Sequence, residues 1–236
     1  MLSWENTYKE IEEAGPEVAI LPIGAVEQHS FHLPIGCDWL MAQEVAKRVA
    51  ERIDAFLLPA MPYGNSQEHS DFIGTIWLRP STLAQVVKDI VASLRYHKIR
   101  KVVIINGHGG NWILKPTVRE INLEYRDMQV IWTGPGALSR GSMVTSELHS
   151  GEGETSRMLH VRPDLVKEAR VDYVPEETSE YLDYAGMKGV AEHGVWGRPT
   201  LATAEKGQKI IEKAVEAIVA YIERTFEWLD RRKGGR

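Results

Sequence analysis

At 236 residues the chain has the length of one large domain or two small ones, and we expect a single domain over residues 1–236. With 43% apolar and 26% charged residues it has the make-up of a globular protein, which excludes a disordered or fibrous chain, and no stretch is long enough to cross a bilayer. A formal net charge of -5 excludes a broad nucleic-acid surface, because neutralising phosphates needs clustered Lys and Arg.

No nucleic-acid and no membrane partner is therefore expected. The opening MLSWENTYKEIEEAGPE is acidic and lacks the basic flank and apolar block of a secretory leader. The lone cysteine, Cys37, cannot form an internal disulfide, in keeping with a reducing compartment. We expect a cytoplasmic protein.

Apolar runs rich in β-branched residues alternate with segments of helical period, the pattern of an α/β fold with a mostly parallel sheet flanked by helices. VAILPIG, residues 18–24, is the first predicted strand. Behind it Trp39, Ala42, Val45, Ala46, Val49 and Ile53 recur at steps of three and four and give a one-sided helix. FLLPAMPYG, from Phe56, reads as a short strand running into a turn. Thr82 and Gln85 fit a capping box, and Leu83, Val86, Val87, Ile90, Val91 and Leu94 form the stripe of the helix it would start.

VVII, residues 102–105, makes the next strand, with NGHGGN at its carboxyl end. A helix is predicted over 117–125, with Pro116 in its first turn or just before it. MQVIWTG, from Met128, is a further strand. HSGEGETS reads as a glycine-loosened loop leading into a short helix. Residues 171–200 are irregular, and so long a connection is usually functional or disordered. Thr203 can cap the last helix, whose apolar face includes Ile210, Ile211, Ala214, Ile218, Tyr221, Ile222 and Phe226.

The chemistry gathers in VEQHSFHLPIGCDW, just behind the first strand. In an extended backbone side chains at i and i+2 share a side, so Glu27 and His29 face one point while Gln28 faces away. Pro34 and Gly36 supply the turn that brings Asp38 back, and a carboxylate with two oxygens can bridge two metal ions. Each of these residues alone reads as a solvated loop group. Together with His108, at the carboxyl edge of another predicted strand, they read as metal ligands, because open parallel sheets place ligands outside such edges. The glycines of NGHGGN also allow an anion-binding loop, although neither the Walker spacing nor G-x-G-x-x-G is present. In HSGEGETS one carboxylate could close a second metal site and His149 could handle protons. Glu152 reads as a charge favouring a helix N-terminus, and Glu154 as the ligand.

LPIGAVEQHSFHLPIGCD, NGHGGN and HSGEGETS resemble, in this order, the three main motifs of the creatininase (creatinine amidohydrolase) family. YGNSQEHSDFIGT and GVWGRPTLATAEKG also look like family segments, so the resemblance runs from about Leu21 to about Gly207. It implies a three-layer α/β domain with two divalent metals at the strand ends, often assembled as a hexamer, so a homo-oligomer is expected. By motif match Glu27, Asp38 and His108 would hold one ion and His29 and Asp38 the other, with Asp38 bridging. In creatininase itself a glutamate two residues after the NGH histidine binds the second metal. This chain has Gly110 there, and we assign the vacancy to Glu154. His149 matches the family's catalytic histidine.

Two such ions would pull the pKa of a shared water down to around 7 and polarise an amide carbonyl, so hydroxide is available at neutral pH. With His149 taking or giving the proton, the expected reaction is hydrolysis of a C–N bond in a small cyclic amide or formamide. Other members that the resemblance brings in deformylate a ribosylaminopyrimidine, cleave near the end of a modified peptide or open a keto-inositol ring. A non-catalytic metal-binding or ligand-sensing protein on the same scaffold is the alternative class. Carboxylate and imidazole ligands suit Zn, Mn and Fe alike. His32, His69 and Thr75 are candidates to line the substrate pocket, or equally to be hydrogen-bonded loop groups. Trp196 could stack on a flat substrate or pack at an edge. Cys37 reads as a small buried apolar group rather than a ligand.

Overall fold

The computed structural model describes residues 1–134, 136–139 and 147–233. Four parallel strands form one sheet in the order β2-β1-β3-β4. They are β1 (Val18–Ile23), β2 (Phe56–Leu57), β3 (Lys101–Asn106) and β4 (Gln129–Trp132). The central pair runs in register from Val18 opposite Lys101 to Ile23 opposite Asn106.

Helices cover both faces, giving three layers. Ile20, Val103, Ile105 and Ile131 point into a core shared with α2 (Cys37–Ile53) and α7 (Ala204–Lys233). Ala19, Leu21, Ile23, Val102, Ile104 and Val130 point the other way, against α3 (Pro80–Tyr96) and α4 (Leu114–Glu124). This is why the strands read as unbroken apolar runs rather than alternating ones. Each fully buried aliphatic side chain contributes roughly 1.5–3 kcal/mol, so the two-sided burial of β1 and β3 anchors the sheet.

Where the elements differ from expectation, local chemistry explains the difference. The first helix, α1 (Tyr8–Ala14), went unread in the acidic opening, although Thr7 and Glu10 make a reciprocal capping box there. Thr82 does not cap α3: Pro80 starts that helix after Arg79, which leaves Thr82 inside its first turn. α4 begins at Leu114, so Pro116 lies in its first turn, where its missing N–H costs nothing. The predicted loop around Glu152 and Glu154 is already helical, in α5 (Glu152–Val161). The stretch 171–200 contains α6 (Leu182–Val190), hidden by Gly186, whose φ of 64° breaks the helical period. Thr203 does cap α7, accepting the backbone N–H of Lys206 at 3.3 Å.

β1 has β2 on one side and β3 on the other, so the crossovers leave it in opposite directions. Chains wound this way open a crevice beyond the carboxyl ends of the two strands at the switch, here β1 and β3. Among the described residues no helix is long and apolar enough to cross a membrane.

Candidate metal centre

The loop that leaves β1 carries Glu27 and His29, the loop that leaves β3 carries His108, and both enter that crevice. Asp38 reaches it from the first turn of α2, where the N-terminal end of the helix favours a carboxylate. Its two oxygens face different partners: Oδ1 lies 3.4 Å from His29 Nε2, and Oδ2 lies 3.1 Å from His108 Nδ1. Glu27 Oε2 lies 3.1 Å from His108 Nε2, and Glu154 Oε2 lies 3.7 Å from His29 Nε2. Two donors bound to one tetrahedral ion at about 2 Å stand about 3.4 Å apart, a spacing that the His29–Asp38 and His108 Nε2–Glu27 pairs approach, while Asp38 meets His108 at its other nitrogen.

The donors are short of partners. Glu27 is 0% exposed, yet neither of its carboxylate oxygens accepts a hydrogen bond, and His29 Nε2 is orphaned as well. Unpaired buried polar atoms are costly, and a divalent cation is the group that satisfies two oxygens and an imidazole together. The set therefore fits metal ions.

Charge is redistributed accordingly. Burial opposes the charged form of His29, but the neighbouring Cys37 sulfur and the Asp38 carboxylate overcome it and hold its pKa well above the usual value. Burial pushes the Cys37 thiol itself up, so at neutral pH the lasting charge beside His29 is Asp38. Burial works against the His108 cation too, and is outweighed by Glu27 and Asp38. The Asp38 carboxyl, although buried, is held well below the carboxylate range by His29 and His108. Burial raises Glu27 to about 7, against the pull of His108.

Glu154, on α5 rather than a loop, is aimed by its neighbours. Oε2 accepts the Ser150 N–H at 2.6 Å, and Oε1 faces the Arg157 guanidinium at 3.6 Å. Ser150 presents that N–H from a left-handed conformation, φ 54°. Glu152 points away and pairs with Lys206 at 2.5 Å.

His149 closes the far side. Its Nε2 donates to the Gln28 carbonyl at 2.7 Å, which leaves Nδ1 as the free nitrogen, 3.6 Å from Glu27 Oε1. Burial, then the positive His29, lowers its pKa to about 4. His69 lines the same cavity, with Nδ1 accepting from Gln28 Nε2 at 2.9 Å and Nε2 3.5 Å from Glu27 Oε1.

Three expected pocket residues serve elsewhere. His32 bonds Thr155 Oγ1 at 2.9 Å and ties the β1 loop to α5. The Thr75 hydroxyl accepts the Gln28 N–H at 3.1 Å. Trp196 is 8% exposed and joins the site through its backbone, which pairs antiparallel with His149. None of the three is among the residues lining the cavity. Cys37 is buried beside His29 and Asp38 as a neutral thiol.

The cavity measures about 730 Å³. Beyond the donors its walls are Trp112, Leu148 and the side chains of Leu182, Asp183 and Met187 from α6. No helical period marks that segment in the amino-acid sequence. Glu68 also faces the donors, and its place beside His69 in QEH was the one cue to it.

A parallel α/β sheet thus gathers carboxylates and imidazoles around unpaired acceptors at its strand ends, the setting of a candidate metal centre. The profile of the family Creatininase, creatinine amidohydrolase, matches residues 4–222. A mycofactocin precursor peptide peptidase of Mycobacterium ulcerans is 32% identical, over 93% of this chain and 89% of its own. A creatinine amidohydrolase of Pseudomonas putida is 34% identical, over 94% and 96%. A solved manganese form of creatininase superposes with a TM-score of 0.81 at 32% identity, covering 95% of this chain and 98% of that one. The chain belongs to the creatininase family and is a hydrolase of the amidohydrolase type, acting on C–N bonds.

Proposed function

We propose that the protein uses two divalent cations, Zn, Mn or Fe, to hydrolyse the C–N bond of a small cyclic amide or formamide. Glu27, Asp38 and His108 would hold one cation, and His29, Asp38 and Glu154 the other. The observation that carries this reading is Asp38, which stands between His29 and His108 with Oδ1 3.4 Å from one ring and Oδ2 3.1 Å from the other, a placement open to a bridging carboxylate. When bound, such a pair supplies an ionised water at neutral pH and polarises the carbonyl under attack.

The side chains then move the protons. His149 is the neutral imidazole that a general base requires, because burial keeps its pKa at about 4. The Gln28 carbonyl holds the proton on Nε2, so Nδ1 is the atom that takes a proton from the attacking water and returns it to the leaving nitrogen. The Gln28 amide fixes His69 in turn: it donates to Nδ1 and leaves Nε2–H as a donor toward the cavity. Glu154, oriented by Ser150 and Arg157, is both ligand and counter-charge at the reacting centre.

A second substrate reading has support of its own. A cavity of about 730 Å³ is of the size that takes a drug-sized ligand, and the Mycobacterium ulcerans relative is named a peptide peptidase. An amide near the end of a longer chain therefore belongs beside the small cyclic amides. Exposed Phe31, Ile35, Ile73 and Trp77, on segments flanking the donors, support a homo-oligomer, and we place it in the cytoplasm.

The test is elemental analysis of the purified protein joined to a substrate panel of creatinine, formamidopyrimidines, cyclic ketones and amide-terminated peptides, before and after chelation. Turnover of an amide that chelation abolishes and metal restores is the expected result. Bound metal without turnover of any panel member would favour a ligand-sensing protein instead.

A further inference from the structure

Position 110 is a glycine for a physical reason. A Cβ built there would collide with Glu68 Oε1, His108 Nε2 and the Asn65 carbonyl. The space beside this residue is thus taken by the carboxylate of Glu68. That carboxylate lies 3.2 Å from His108 Nε2, and donor atoms of Glu27, Glu68 and His108 all fall within 4.8 Å of one another.

We infer that Glu68 is a metal ligand, supplying with Glu27 and His108 Nε2 the cation nearer β3 from the space that Gly110 leaves open. The inference rests on the two-cation reading above. Both Glu27 oxygens are buried and accept no hydrogen bond, so the cluster lacks a partner that a cation provides.

The fold holds Glu68 in place. It sits in the 3-10 turn Gln67–His69, against which α6 packs. Gly186 permits that packing: its φ of 64° suits glycine, and a Cβ there would lie 3.2 Å from the Glu68 carbonyl oxygen. The turn therefore sets the carboxylate and the His69 ring on the cavity together.

Glu68→Gln tests the inference, because glutamine keeps a hydrogen-bond acceptor for His108 and removes the charged donor. The full chain is loaded with Co²⁺ or Zn²⁺, and dissociation constants are read by competition with a chelator, with far-UV circular dichroism confirming the fold. Loss of an outer hydrogen-bond partner weakens a metal by roughly 10–100-fold. A ligand role predicts that one of the two cations is weakened by more than about 100-fold, with a changed cobalt visible spectrum. A smaller loss with the parent spectrum would overturn it and leave Glu68 as a hydrogen-bond partner of His108. Glu68→Asp, which keeps the carboxylate, is expected to retain the cation better than Glu68→Gln, and equal loss in both would also overturn it. A parent chain that binds no divalent cation would overturn the two-cation reading itself, a result distinct from a parent that binds two and a variant that matches it.

Discussion

Trp196 and His149 are joined backbone to backbone: the Trp196 N–H donates to the His149 carbonyl at 2.8 Å, and the Trp196 carbonyl accepts from His149 at 3.2 Å. The indole is buried and is not among the residues lining the cavity, so we expect it to support the base through packing. Trp196→Ala should therefore destabilise the fold by about 3–5 kcal/mol, the usual cost of deleting a buried large aromatic. Urea unfolding reads that loss, while KM for a turned-over substrate stays near the parent value. A large rise in KM with unchanged stability would return Trp196 to the substrate.

Asp38 is the one side chain shared by both proposed cations. Asp38→Ala is expected to strip both ions after dialysis, measured by elemental analysis, whereas His29→Ala should leave one. If Asp38→Ala kept its full metal content, the bridging reading would be wrong.

In the two-cation reading His149 moves protons rather than holding metal, even though its ring lies within 4.8 Å of the donor atoms of Glu27 and His29. His149→Ala should keep the parent metal content and lower kcat by about 10²–10⁴-fold, the range that a positioned acid–base group contributes. Unchanged kcat would remove His149 from proton transfer.

Metal uptake should release protons. In the metal-free chain His29 and His108 are held well above the ordinary imidazole value of about 6.5. They are protonated at neutral pH, and a cation must displace those protons. The sign follows: apparent affinity rises with pH until both imidazoles are neutral, and falls as acid restores the competing protons. Titrating the metal-free protein with Zn²⁺ in weakly buffered solution should acidify it. No proton release at neutral pH would contradict the raised values.

How much of this was legible follows from which signals are local. The two-sided strands β1 and β3 announced themselves as apolar runs, and α2 and α7 as one-sided stripes. Glu27, His29 and His108 follow predicted strands, where parallel sheets put their chemistry, Asp38 stands at the head of the next helix, and the structure brings all four together with Glu154. Lost were features set by tertiary contact. His32 and Thr75 sit as near to the donors in sequence as His69 does, yet only His69 turns to the cavity, because Thr155 and the Gln28 N–H claim the other two. α6 was obscured by one left-handed glycine. Glu68 could be recognised only once Gly110 was seen against it.

The donors come from loops after β1 and β3, a turn between them and a helix near residue 154, so no short fragment of the chain owns a complete binding set. They converge only when strands far apart in sequence have zipped side by side, which is slow work for a polypeptide because long loops must close first. Cation capture should thus be a closing event of refolding, and the appearance of cobalt colour during renaturation would serve as a clock for the moment the sheet is finished.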